Sequence, residues 1–197
     1  MKIVFATGNK DKMREIKQIL GNLPVEIISM KEAGIDIDIE ENGTTFEENA
    51  LIKAKAVADR CDAIVLADDS GLEIDCLGKE PGVYSARYLG RETPYPEKNA
   101  IILDRIKDVE DKDRSARFVC AIAAVLPDGR DLVVRGTMEG MIGHEIAGEN
   151  GFGYDPIFFL PEYGKTSAQL SPDEKNAVSH RGKALRMMAD RLSEILK

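Results

Sequence analysis

Apolar positions recur along the chain in two periods, and the switches between them predict its elements. Lys2 to Ala6 reads as a short strand, followed by a turn at Thr7-Gly8-Asn9. Met13, Ile16 and Leu20 fall on one face of a helix from about Asp11 to Leu20, with Gly21 as its stop. Val25 to Ser29 reads as a second strand. Residues 34–43 alternate apolar and acidic, as in a strand or an extended loop with a carboxylate row on one face. Thr45-Phe46-Glu47-Glu48 is a capping box that opens a helix to about Cys61, with Phe46, Ala50, Val57 and Cys61 as its apolar stripe. Asn49 and Lys53 lie close to that stripe, so they either reach past the core or point into a site.

Ala63 to Ala67 reads as a buried strand that ends in an acidic turn, Asp68-Asp69-Ser70-Gly71. Residues 76–96, rich in Gly, Pro, Tyr and Arg, read as a long loop, and Glu97 to Lys107 as a helix. Arg117 to Leu126 is a buried strand, Pro127-Asp128-Gly129-Arg130 a hairpin turn, and Asp131 to Arg135 the return strand. A tight loop at residues 151–156 leads into Ile157–Leu160. Ser171-Pro172-Asp173-Glu174 starts another helix, and the helical pattern continues to Leu196 with a break near Ser179–Gly182. Strands mixed with helices, and a hairpin among them, predict an α/β fold. Its mixed central sheet would be flanked by helices, in two lobes with an active-site cleft between them.

Composition narrows the class. The chain has 197 residues, 43% apolar and 31% charged, which fits one globular domain over residues 1–197. The longest apolar run is too short to span a bilayer, and the first residues read as a strand without a signal-peptide core, so a cytoplasmic location is expected. A net charge of −8 argues against a large duplex nucleic-acid footprint. It leaves a small anionic ligand open, because a few lysines and a metal reverse the field locally. Cys61, Cys76 and Cys120 form no C-x-x-C pair and read as core thiols, not as zinc ligands or a disulfide framework.

The chemistry concentrates in four places. Two adjacent carboxylates, Asp68 and Asp69, abut an apolar strand, which is costly unless something positive binds there. Magnesium suits them, with Glu40 and Glu41 as candidate partners; the alternative is a capping turn. Thr7-Gly8-Asn9-Lys10-Asp11-Lys12 joins a strand to a helix start and carries two lysines, which suits a phosphate but also describes a plain strand–turn–helix. Phe152, between two glycines, presents a ring to a base or anchors its loop. Ser179-His180-Arg181-Gly182 is a donor cluster or a helix cap with surface charges, and Arg181 shares the Val178/Leu185 face.

Taken in order, T-G-N-K-D-K (7–12), E-E-N-G-T-T-F-E-E-N-A (40–50), A-D-D-S-G-L (67–72), P-G-V-Y-S-A-R-Y (81–88), G-F-G-Y-D-P-I-F (151–158) and S-H-R (179–181) resemble the inosine triphosphate pyrophosphatase, or Ham1-like, family. The resemblance spans nearly the whole chain. It implies a homodimer that hydrolyses dITP, ITP and XTP to the monophosphate and pyrophosphate with Mg²⁺, removing deaminated purines from the nucleotide pool. It places the triphosphate on Thr7, Gly8, Asn9, Lys10, Asp11 and Lys12, with Ser70 nearby. It puts the metal on Glu40 and Asp69, with Asp69 as the base that activates water. Base contacts fall on Phe152, Gly153, Tyr154, Asp155, Lys175, His180 and Arg181, and Lys53 and Asp68 line the phosphate–metal side. Rival readings are a pyrophosphatase for pyrimidine nucleotides and a nucleotide-binding module without turnover.

Overall fold

Short runs of branched and aromatic residues pair edge to edge at the start of the chain. Strand β1 (Lys2–Phe5) lies parallel to β2 (Glu26–Ser29) on one side and to β3 (Ile64–Ile74) on the other, with Ile3 opposite Ile27 and Ile64. The remaining elements are helices α1 (Lys10–Leu20), α2 (Phe46–Ala58), α3 (Tyr95–Arg105), α4 (Pro172–Val178) and α5 (His180–Ile195), and strands β4 (Ser115–Val125), β5 (Asp131–Ile142), β6 (Phe158–Leu160) and β7 (Lys165–Thr166). All seven strands form one sheet in the order β2-β1-β3-β4-β5-β6-β7. Since β5–β6 and β6–β7 pair antiparallel, the sheet is mixed and the fold α/β, as the pattern predicts. The computed structural model describes residues 2–21 and 24–195; the expected helix limit at Leu196 lies outside them.

The chain divides into two compact units, each built from separated stretches. Residues 1–70, 120–136 and 180–197 make the first, and residues 71–119 and 137–179 the second. In the first, α1 and α5 bring Ile16, Leu20, Leu185, Met188 and Leu192 onto Phe5, Leu66 and Ile122. In the second, Ile102 and Ile106 pack with Leu72, Phe118, Ile142, Ile157 and Phe158. Arg114 is 1% exposed in the second unit, and among the described residues its guanidinium meets carbonyls and no carboxylate. Instead Nε donates to the Ile142 carbonyl at 2.9 Å, Nη1 to those of Ile106 (2.8 Å) and Val109 (3.4 Å), and Nη2 to that of Gly143. Ile106 is the C-cap of α3, so its carbonyl lies at the negative end of the helix dipole, which suits a cation.

Several boundaries depart from the pattern. The acidic pair does not end a strand: β3 runs through Asp68 and Asp69 to Ile74. The strand continues because each carboxylate finds cationic partners, on opposite faces as strand alternation requires. The return strand, expected over Asp131 to Arg135, extends to Ile142 through Gly136 and Gly140. Both are close-approach positions, where a Cβ would stand 2.5 Å from the His180 carbonyl oxygen and 2.6 Å from that of Phe159. Residues 35–43 form an irregular extended segment, not a strand. Half of the first capping box forms: Thr45 Oγ1 accepts from the Glu48 N–H, but the Glu48 carboxylate turns back to Thr44. The box at Ser171 and Glu174 is complete.

Candidate active site

The first unit gathers charge around the middle of β3. Asp68, buried, points to Lys12 of α1, whose Nζ lies 3.0 Å from Oδ2, and to Arg181 at the start of α5, with Nη2 at 3.4 Å. Arg181 is itself anchored by the Glu15 carboxylate and donates to Ser70 Oγ at 3.1 Å. Asp69, on the other face, accepts from Asn49 Nδ2 at 3.2 Å and meets Lys53 Nζ at 3.4 Å. Lys53 also pairs with Glu41 at 3.1 Å. So the polar residues on the α2 stripe point to the carboxylates of Asp69 and Glu41. Asn49 Oδ1 in turn accepts from the Gly43 N–H at 2.8 Å, which ties the segment carrying Glu40 and Glu41 to α2.

The two aspartates differ in chemistry. Burial alone would push the Asp68 carboxyl up, but Lys12, Arg181 and Lys53 outweigh it and hold it well below the usual carboxylate range. Burial also dominates at Asp69, and there it wins: with the nearby Glu41 charge it keeps the carboxyl above its ordinary value against Lys53, Lys12 and Asn49. Lys53 is held above its ordinary value by Asp69, Asp68 and Glu41 despite its burial. Asp68 is thus a fixed anion, while Asp69 is the more basic carboxylate and the one suited to take a proton. Four carboxylates (Glu15, Glu41, Asp68, Asp69) face three cations (Lys12, Lys53, Arg181), and Asp68 Oδ1 has no hydrogen-bond partner among the described residues. Burial and Asp68 together push the Cys120 thiol on β4 up to about 12, so it stays an inert core group; of the three expected core thiols only Cys120 is one, Cys61 being half-buried and Cys76 exposed.

At the start of α1, Asn9 Oδ1 accepts from the N–H groups of Asp11 (2.9 Å) and Lys12 (3.2 Å), and Thr7 Oγ1 accepts from that of Asn9. Asn9 is therefore a helix cap, and two amides that a phosphate could use are taken by it. Lys10 is exposed, and a Cβ at Gly8 would meet nothing within 4 Å, so the turn is open to a ligand. Glu40 is exposed; it is Glu41 that the structure brings to Lys53 and Asp69.

The second unit holds the aromatic loop. Gly151 and Gly153 adopt φ of +75° and +68°, which only glycine takes readily, and they hold Phe152 between them. The Phe152 N–H donates to Asp155 Oδ2 at 2.8 Å, and Lys175 Nζ reaches the same oxygen at 2.7 Å while lying 5.0 Å from the Phe152 ring centre. Ser167 Oγ donates to Asp155 Oδ1 at 2.7 Å. Tyr154 packs edge-on against Tyr95 and donates to the Ser85 carbonyl. Phe152, Gly153, Tyr154, Asp155 and Lys175 are thus one constellation, and Lys12, Lys53, Asp68, Asp69, Ser70 and Arg181 another, with His180 beside Arg181 at the head of α5.

Glu15 and Ser167 complete these clusters and are not among the expected site residues. Glu15 was detectable, since it falls beside Ile16 on the buried stripe of α1 three residues after Lys12. Nothing in the local sequence marks Ser167.

The sequence model of the Ham1 family matches residues 3–191. A dITP/XTP pyrophosphatase of Clostridium perfringens is 48% identical over all of this chain and 99% of its own length. The solved Ham1 protein of Staphylococcus aureus superposes with a TM-score of 0.88 at 41% identity, and that of Coxiella burnetii with 0.89 at 43%; each match covers 98% of this chain and 99% of the other. Among the described residues no helix is long and apolar enough to cross a membrane.

Proposed function

The chain belongs to the Ham1 family, and from that premise we propose that it hydrolyses dITP, ITP and XTP to the nucleoside monophosphate and pyrophosphate. The observation that carries the reading is the split pair on β3, a fixed anion at Asp68 beside the more basic Asp69. Water attacks the α-phosphorus, its proton passes to the Asp69 carboxylate, and the α–β anhydride bond breaks to release pyrophosphate. Lys12, Lys10 and the open turn at Gly8 balance the triphosphate charge.

The donor set fits Mg²⁺. The groups available to a metal are carboxylate oxygens, the cluster around them holds one more negative than positive group, and Asp68 Oδ1 is unpartnered among the described residues. Among the described residues no three His, Cys, Asp or Glu side chains group to hold a metal, so Mg²⁺ here would take part of its shell from substrate oxygens and water. Asp69 would hold it with Glu40, which is exposed and uncommitted among the described residues, while Glu41 stays on Lys53. When bound, the ion would neutralise charge on the reacting phosphate and the leaving pyrophosphate.

For the base, Phe152 offers a stacking face, and Lys175, His180 and Arg181 supply donors. Glu15, Asp68 and Ser70 hold the Arg181 guanidinium rigid, and it cannot become an acceptor. A donor held this way at the base edge would bond the 6-carbonyl of hypoxanthine and xanthine and leave the 6-amino group of adenine unpaired; Arg181 would serve only with an N–H that Glu15, Asp68 and Ser70 do not take.

Product analysis tests the reading. With Mg²⁺, dITP and XTP should yield pyrophosphate and monophosphate far faster than dATP, and EDTA should stop the reaction. Orthophosphate as the sole product, or equal rates on dATP, would sink it; UTP or dTTP turning over faster than dITP would favour a pyrimidine hydrolase. The working assembly is a homodimer in the cytoplasm. Light scattering should return about twice the 21.7 kDa chain mass, and the mass of one chain would remove the dimer.

A further inference from the structure

One buried polar side chain in the second unit has no part in the chemistry above. Asn99 lies on the buried stripe of α3 with Lys98 and Ile102, and is 2% exposed. Its Nδ2 donates to the Gly153 carbonyl at 3.1 Å, and its Oδ1 has no hydrogen-bond partner among the described residues. A carbonyl oxygen only accepts, so the amide nitrogen is the atom that must face Gly153. Burying the unpartnered acceptor is costly, and a leucine of similar shape would pack there without that cost. The bond to Gly153 is thus what asparagine supplies at this position.

Gly153 is the point of the loop with least restraint of its own. It has no side chain, takes a positive φ, and lies where a Cβ would sit 3.6 Å from the Tyr95 ring. Its neighbours are tied by other groups: the Phe152 N–H by Asp155, and the Tyr154 hydroxyl by the Ser85 carbonyl. Asp155 also holds the Phe152 carbonyl through its N–H at 3.3 Å, and Asn99 holds the next peptide along, the one between Gly153 and Tyr154. Without it, the loop that presents Phe152 is anchored on one side only.

We infer that Asn99 is a positioning residue for base selection: by fixing the Gly153 peptide it sets the plane in which the Phe152 ring meets the purine. It acts through the loop and touches no reacting atom. The inference rests on the reading of Phe152 as the base platform. Its mark is therefore a loss of binding and selectivity, with the phosphate chemistry left alone.

Asn99→Leu tests it. KM for dITP should rise about tenfold or more, kcat should stay within about twofold, and the preference for dITP over dATP should narrow. Hydrogen exchange on nucleotide-free protein supplies a second readout: exchange across residues 151–157 should quicken while that across α3 stays slow. A packing role alone predicts that leucine leaves both KM and loop exchange unchanged, and either result in a folded variant would overturn the inference. So would loss of protection across α3 together with loss of kcat. If the wild-type protein fails to hydrolyse dITP, the pyrophosphatase reading falls. The exchange arm then decides alone, with unchanged loop exchange counting against Asn99.

Discussion

Asp69→Asn should lower kcat for dITP by about 10²–10⁴-fold, the usual worth of a positioned general base, and leave the fold intact. The amide keeps the shape of the carboxylate but cannot take the proton of the attacking water. The same variant should melt no lower than the wild type at neutral pH in EDTA. Burial is the main reason the Asp69 carboxyl sits above its ordinary value, with Glu41 adding to it. A carboxyl raised in the folded state contributes stability below its unfolded pKa, and that contribution is lost as the pH rises through the folded pKa. At neutral pH the metal-free protein therefore carries a destabilising charge that asparagine removes. The advantage of the variant should shrink as the pH falls into the carboxylate range. Thermal melts at several pH values read this directly. Unchanged turnover would take Asp69 out of the mechanism, and a large drop in melting temperature would make its role structural.

Arg114→Leu should cost about 3–5 kcal/mol of stability, at the upper end for a single substitution. Four carbonyls, those of Ile106, Val109, Ile142 and Gly143, accept from this one buried guanidinium. Leucine fills part of the space and leaves those acceptors without donors, and hydrogen bonds from charged groups are the stronger kind. For a chain of this size the melting temperature should fall by about 10 °C. Arg114→Lys should recover less than half of the loss, because an ammonium on a flexible stem cannot reproduce the planar fork. A melting temperature within about 2 °C of wild type would show that water replaces the guanidinium at little cost. Activity per folded molecule should be unchanged, which separates this residue from Asp69.

The elements whose pattern is local were legible in the sequence. Helices α1, α2 and α4, strands β1 and β4 and the 127–130 hairpin turn fall within a few residues of their expected places. The misreadings share a physical cause: a distant partner supplies what the local sequence lacks. Asp68 and Asp69 look like a strand end until Lys12, Lys53 and Arg181 are brought to them. The return strand ends at Arg135 in the local pattern, and beyond it Gly136 and Gly140 carry β5 on to Ile142 where other backbone comes close. Asn49 and Lys53 stand out because polar residues on an apolar helical stripe demand a partner, and the same holds for Glu15 on α1 and Asn99 on α3. Ser167 has no such signature, because its burial and its bond to Asp155 arise from tertiary structure alone.

The first unit closes only when its last stretch arrives. Arg181 stands 113 residues after Asp68, the carboxylate it neutralises, and the apolar face of α5 follows it. A ribosome adding about 5–20 residues per second leaves about 6–23 s between the two. Through that interval the nascent chain holds Asp68 without its guanidinium and the sheet without α5. Messages cut short before α5 would therefore yield chains that cannot bury the acidic pair, and quality-control proteases should clear them before they bind nucleotide.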